Sequence, residues 1–166
     1  HGNNKSDKEI EFAVRNNIKV IVDNDHDLER LESLSNSLNR DLEIMIRFTP
    51  GIECHTHEYI RTGSFDSKFG FGIEYLNTLF DRISNTKYLK LKGIHAHIGS
   101  QIFELEPHKD LGEIMINVIL QAKKFGHNIQ KLNVGGGLGI KYTENDDPPS
   151  IDEWVKTISN SVVKAC

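Results

Sequence analysis

Residues 91–100 read LKGIHAHIGS, a short and mostly apolar run that ends in a polar turn. Such a run is typical of a strand buried on both faces of a parallel sheet. Its two histidines, His95 and His97, are two residues apart and would therefore face the same side of a strand. The apolar residues that alternate with them would face the other side and pack beneath helices.

Three further runs have the same character. They are residues 19–24 (KVIVDN), 43–48 (EIMIRF) and 131–134 (KLNV). The segments between the runs carry apolar residues at helical spacing. Two helices are predicted to begin at capping boxes, Ser6 with Glu9 and Ser150 with Glu153, and Gly126 is predicted to end the longest helix.

The alternation of strands and helices predicts an α/β fold with a parallel sheet of right-handed βαβ units. A doubly wound sheet and a TIM-type (β/α)₈ barrel both fit this pattern. A full barrel needs about 250 residues, so four strands would form about half of one. The chain begins at His1 without a methionine and stops at Cys166 within a helical pattern, so we expect residues 1–166 to be an internal part of a longer protein.

Composition excludes several classes of function. The 166 residues include 20 Lys and Arg and 24 Asp and Glu, a net charge of −4. This balance provides no attraction to nucleic acid or anionic lipid, so neither is an expected partner. No apolar run approaches the ~18 residues that cross a membrane. The two cysteines, Cys54 and Cys166, exclude a disulfide scaffold and fit a reducing compartment.

Glycine-rich or polar residues follow three of the strands, where parallel folds bind their ligands. They are Thr49-Pro50-Gly51, Gly99-Ser100-Gln101 and Gly135-Gly136-Gly137. The three consecutive glycines can expose backbone N–H groups to an anion such as phosphate. A tight turn packed against a neighbour is an equally good interpretation of them.

Histidine and arginine are the other candidate site residues. His95 and His97 could bind a metal, as in hydrolytic barrels, or stack on an aromatic cofactor, or be core histidines. Arg47 lies inside an apolar strand, and since a buried guanidinium must be paired, we expect a carboxylate partner. His55 and His57 repeat the two-residue spacing in a predicted loop, but no second cluster at ligand spacing supports a metal site there.

Several strings, taken in order, are similar to those of one family. They are HGNNKS at 1–6, RFTPG at 47–51, HEYIRTG at 57–63, DSKFG at 66–70, HAHIGSQI at 95–102 and NVGGGLGI at 133–140. On these strings the chain resembles the diaminopimelate decarboxylases. They are a branch of the fold-type III pyridoxal-phosphate decarboxylases, which also include ornithine and arginine decarboxylases.

The resemblance implies a (β/α)₈ barrel that binds pyridoxal 5′-phosphate, with a C-terminal β domain absent from these residues. It implies decarboxylation of meso-diaminopimelate to L-lysine in a cytoplasmic homodimer, with a plastid location also open. His97 would stack on the pyridine ring, and Gly137 would be the main phosphate-binding glycine. The implied cofactor-binding residues are His97, Ser100, Gly135, Gly136, Gly137 and Arg47.

Other parts of the family's site are expected outside this piece. The lysine that bonds the cofactor would precede His1, and the carboxylate that pairs with the pyridine nitrogen would follow Cys166. We therefore expect the piece alone to be inactive. Lys68 resembles a lysine at the subunit interface, and His95 receives no role from the resemblance. An ornithine- or arginine-type decarboxylase, a metal-dependent hydrolase using His95 and His97, and a non-catalytic homologue stay open as alternatives.

Overall fold

Strands alternate with helices in the computed structural model, which describes residues 1–52 and 68–166. The strands are β1 (Val20–Val22), β2 (Leu42–Thr49), β3 (Phe71–Gly72), β4 (Leu89–His95) and β5 (Lys131–Asn133). The helices are α1 (Asp7–Arg15), α2 (Asp25–Leu38), α3 (Leu76–Ser84), α4 (Glu106–Lys124) and α5 (Ile151–Ala165). Within the two described ranges, none of the helices combines the length and the apolar character that crossing a membrane requires.

All strand pairs in the sheet are parallel, which confirms the predicted α/β class. The order across the sheet is β1-β2-β4-β5, and β3 pairs with the carboxyl end of β2. Because the strands run in one direction, the loops that follow them lie along one edge of the sheet. This is the edge at which the sequence predicts the polar residues.

One hydrophobic cluster joins the strands to the inner faces of α1, α2, α3 and α4. The three apolar residues that alternate with the histidines, Ile94, Ala96 and Ile98, are all buried in it. Their burial confirms the predicted two-sided pattern, with apolar side chains facing the helices and imidazoles facing the opposite side.

The predicted helix ends are also confirmed. The Glu9 N–H donates to the Ser6 hydroxyl at 3.3 Å, and the Ser6 N–H donates to the Glu9 carboxylate at 2.7 Å. Ser150 and Glu153 form the same reciprocal pair at the start of α5. Gly126, with φ of +83°, follows the end of α4 in the left-handed conformation that closes many helices.

Three details differ from the predicted strands. β4 ends at His95, so His97 lies two residues beyond the strand rather than on it. β5 lies at the end of the sheet and is not buried on both faces, since Lys131 and Asn133 are exposed. No sequence pattern predicts β3, because two residues are too few to show a period.

A buried imidazole, that of His108, joins α4 to α5. The side chain is 0% exposed, and its ring meets the ring of Trp154 edge-on at a centroid separation of 5.6 Å. Neither nitrogen of His108 has a hydrogen-bond partner among the described residues. Burial, with a smaller contribution from His97, lowers the pKa of His108 to about 4. The folded protein therefore holds this side chain neutral.

We expect acid to destabilise the fold through His108. An unfolded histidine has a pKa of about 6.5. The contribution of neutral His108 to the free energy of unfolding is therefore fully present above that pH. It is lost as the pH falls toward 4, by about 3 kcal/mol in all. In urea unfolding at about pH 7 and about pH 4.5, His108→Leu should show a smaller change in unfolding free energy than the unchanged chain. His26→Leu, at an exposed position, is the control. An undiminished pH dependence in His108→Leu would contradict this expectation.

Candidate functional site

A cleft of about 540 Å³ opens at the carboxyl ends of β2, β4 and β5. The residues that line it are His1, Arg47, Phe69, His95, His97, Asn133, Gly135 and Gly136. The structure therefore brings together both predicted histidines, the predicted arginine and two of the three predicted glycines. Ser100 and Gly137 are not among the lining residues and lie on the adjoining loops.

The loop after β5 requires glycine at two positions. Gly135 has φ of +73° and Gly137 has φ of +109°, conformations that other residues rarely adopt. A Cβ atom on Gly137 would lie 2.4 Å from the carbonyl oxygen of Gly99, and one on Gly135 would lie 2.7 Å from that of Ala96. The loop therefore packs backbone against backbone on the segment after β4, and a side chain would force the two apart.

The amides of the three glycines have different partners. The Gly135 N–H donates to Oδ1 of Asn133 at 2.9 Å, and the Gly136 N–H donates to Nδ1 of His97 at 3.4 Å. The Gly137 N–H meets no hydrogen-bond acceptor within residues 1–52 and 68–166. Of the three, it is the amide most available to an anion.

Two of the imidazoles that line the cleft, those of His95 and His97, are held neutral. The Nδ1 atom of His95 lies 3.2 Å from the main-chain oxygen of Asn133, so Nδ1 carries the proton and Nε2 the lone pair. Burial is the largest cause that lowers the pKa of His95 and of His97, and the charge of Arg47 acts in the same direction. His97 is only half-buried and lines the cleft, and its imidazole has the flat shape that stacking on an aromatic ligand requires.

The expected carboxylate partner of Arg47 is Asp23, at the end of β1. The Nη1 atom of Arg47 lies 3.5 Å from Oδ1 of Asp23, and the two residues are 4% and 2% exposed. Arg47 also lies over the ring of Phe69, 4.6 Å from its centroid. Asp23 accepts a further hydrogen bond from the Gly70 N–H at 3.2 Å. These contacts fix the guanidinium beside the cleft.

Sequence patterns do not single out four residues of the site: His1, Asp23, Phe69 and Asn133. Asp23 and Asn133 lie within predicted runs, near the carboxyl end of each run. That position is where parallel folds place functional side chains, so it was an available signal. Phe69 lies just before β3, which no sequence pattern predicts.

Other candidates lie apart from the cleft or outside the described residues. Cys54, His55 and His57 lie outside them, so the metal site considered there stays untested. Within residues 1–52 and 68–166, no group of three or more His, Cys, Asp or Glu side chains could hold a metal ion. Lys68 is exposed with its Nζ 5.3 Å from the Phe69 ring centroid, and Cys166 is an exposed free thiol.

A parallel β/α sheet whose carboxyl edge carries a glycine-rich loop is typical of barrel domains that bind phosphorylated ligands. Comparison with known families gives a specific match. The sequence model of the pyridoxal-binding domain of pyridoxal-dependent decarboxylases matches residues 1–166. The chain belongs to this family.

Similar proteins include several diaminopimelate decarboxylases. The chain is 52% identical to that of Synechocystis sp. over its whole length, covering 35% of the relative, and 40% identical to that of Staphylococcus aureus over 98% of the chain, covering 38% of the relative. Its structure is similar to the crystal structure of a single-substitution mutant of diaminopimelate decarboxylase from Helicobacter pylori complexed with L-lysine. The TM-score is 0.89 at 31% identity, over 96% of this chain and 40% of that one. The chain thus spans between a third and two-fifths of these relatives, and the match favours a decarboxylase over a metal-dependent hydrolase.

Proposed function

We propose that the whole protein is a pyridoxal-5′-phosphate-dependent decarboxylase that converts meso-diaminopimelate to L-lysine. Residues 1–166 would be part of its cofactor-binding (β/α)₈ barrel. The observation that best supports this is the contact of His97 with the glycine loop, since Nδ1 of His97 lies 3.4 Å from the Gly136 nitrogen. The names of the relatives supply the substrate and favour diaminopimelate over ornithine or arginine.

The residues around the cleft fit a phosphorylated aromatic ring. The face of His97 would stack on the ring, and the Gly137 N–H and the Ser100 hydroxyl would hold the phosphate. Arg47 is already paired with Asp23, so it would orient the ligand more than add net charge. When bound, pyridoxal phosphate supplies an electron sink for the electrons left when carbon dioxide departs.

We propose a homodimer in the bacterial cytoplasm, with a plastid as the alternative location, as the setting of this activity. The partner would be a small amino acid and not a nucleic acid, which the net charge of −4 supports. An assay of the full-length protein, of which residues 1–166 are a part, tests the proposal. It compares carbon dioxide release from meso-diaminopimelate with that from ornithine and arginine. Carbon dioxide release from ornithine or arginine alone would replace diaminopimelate with the other substrate class.

Substitutions of His97 test whether its ring stacks on pyridoxal phosphate. We expect His97→Ala to weaken the binding of pyridoxal phosphate by about tenfold and His97→Phe, which keeps a flat ring, to weaken it much less. Absorbance titration of the full chain with pyridoxal phosphate measures both affinities. His26→Ala removes an exposed imidazole far along the chain and is the matched control. Unchanged affinity in His97→Ala would remove the stacking role.

A further inference from the structure

Two loops meet at the carboxyl edge of the sheet, one after β4 and one after β5. Ile102 of the first pairs with Leu138 of the second as an isolated parallel bridge. The Ile102 N–H donates to the Gly137 carbonyl at 2.9 Å, and the Gly139 N–H donates to the Ile102 carbonyl at 2.9 Å. Backbone hydrogen bonds thus connect the loop that carries Ser100 to the loop that carries Gly137.

The side chain of Gln101 extends this connection by two more hydrogen bonds. Its Nε2 donates to the carbonyl of Ile140 at 3.0 Å, and its Oε1 accepts from the Ile140 N–H at 2.8 Å. One primary amide therefore satisfies both backbone groups of a residue on the other loop. This exchange needs a donor and an acceptor on the same side chain, at the length of glutamine.

The backbone of Gln101 supports a specific role for its side chain. Its φ is +57°, in the left-handed region that is uncommon for residues other than glycine, asparagine and aspartate. Such a conformation has an energetic cost and persists where the surrounding contacts fix it. The contacts that fix it here are the two bonds to Ile140 and the bridge at Ile102, and the residue before it is Ser100.

We propose that Gln101 is a positioning residue that clasps the two loops and holds Ser100 and Gly137 at the spacing that one phosphate group requires. The inference rests on the proposed function, because it assumes that these two residues bind the phosphate of pyridoxal phosphate. Gln101 itself would not touch the ligand, since its amide is occupied by Ile140. Its effect should therefore be confined to the phosphate end of the ligand.

Binding of pyridoxal phosphate and of pyridoxal, which lacks the phosphate, tests this role in the full chain. For Gln101→Ala we expect the affinity for pyridoxal phosphate to fall about tenfold and that for pyridoxal to change less than about twofold. Gln101→Asn tolerates the left-handed backbone but is one methylene too short, and it should behave like the alanine variant. Gln101→Glu keeps the acceptor, loses the donor and adds a charge that repels phosphate. Of the three variants, it should show the largest loss of affinity for pyridoxal phosphate.

A second readout needs no cofactor. Hydrogen exchange at the Ile140 amide should be faster in both Gln101→Ala and Gln101→Asn than in the unchanged chain. If the Gln101 variants lost affinity equally for pyridoxal phosphate and pyridoxal, or lost none for either, the proposed positioning role of Gln101 would be wrong. If the unchanged chain binds neither ligand, the proposed function fails, while faster exchange at Ile140 would still establish the clasp as a structural contact. If one variant does not fold, the ligand comparison is made on the others.

Discussion

Gly137→Ala should weaken the binding of pyridoxal phosphate by more than about 100-fold, an effect of about 3 kcal/mol. The added Cβ would lie 2.4 Å from the carbonyl oxygen of Gly99, a backbone atom that cannot rotate away. The φ of +109° adds strain, which for a residue other than glycine is of order 1–3 kcal/mol. The clash and the backbone strain can be relieved only if the loops after β4 and β5 separate. The Gly137 amide would then move away from its position in the site.

The neighbouring glycine supplies a matched control. A Cβ on Gly136 would meet no atom within 4 Å, and the position has no positive φ. Gly136→Ala keeps the N–H that donates to His97, so its fold should match that of the unchanged chain in urea unfolding. Fluorescence titration with pyridoxal phosphate then compares Gly137→Ala with the unchanged chain. Wild-type affinity in Gly137→Ala would exclude this loop from phosphate binding.

The sequence predicts the sheet well because buried strands and helices leave periodic apolar patterns. The run at 43–48 lies within β2, and both capping boxes form at the predicted serines. β3 could not be predicted in this way, since it exists through its pairing with the end of β2 rather than through a pattern of its own. The run at 131–134 correctly predicts β5, but the exposure of this strand could not be predicted, because burial of a strand depends on its neighbours.

The candidate site was predictable in its position and not in its contacts. Parallel strands place their following loops at one edge, so the meeting of His97, Arg47 and the glycine loop follows from fold class. The bond between Gln101 and Ile140 spans 39 residues, and no local spacing encodes it. The need of Arg47 for a carboxylate was predictable from burial alone, but its identity as Asp23 depends on β1 lying beside β2.

The ion pair between Arg47 and Asp23 is expected to have a large effect on stability. Asp23→Ala should lower the free energy of unfolding by about 3–5 kcal/mol, because it leaves the guanidinium of Arg47 buried without its carboxylate. The same change removes the acceptor of the Gly70 N–H. Urea unfolding of the variant and the unchanged chain measures the difference. If the free energy of unfolding fell by less than about 1 kcal/mol, Arg47 would have to reach solvent or find another partner in the variant. The pair would then contribute no more than a solvent-exposed ion pair does.

The two single truncations should not be equal. Arg47→Met leaves a carboxylate that still accepts from the Gly70 N–H, whereas Asp23→Ala leaves that N–H without its acceptor and leaves a guanidinium that cannot lose its charge. We therefore expect Arg47→Met to cost less than Asp23→Ala. In the double variant Asp23→Leu with Arg47→Met, apolar side chains fill both positions and much of the stability should return. Asp23→Leu alone completes the comparison. A double variant as unstable as the sum of Asp23→Leu and Arg47→Met would show that the pair does not act as a unit, because coupled neighbours deviate from additivity.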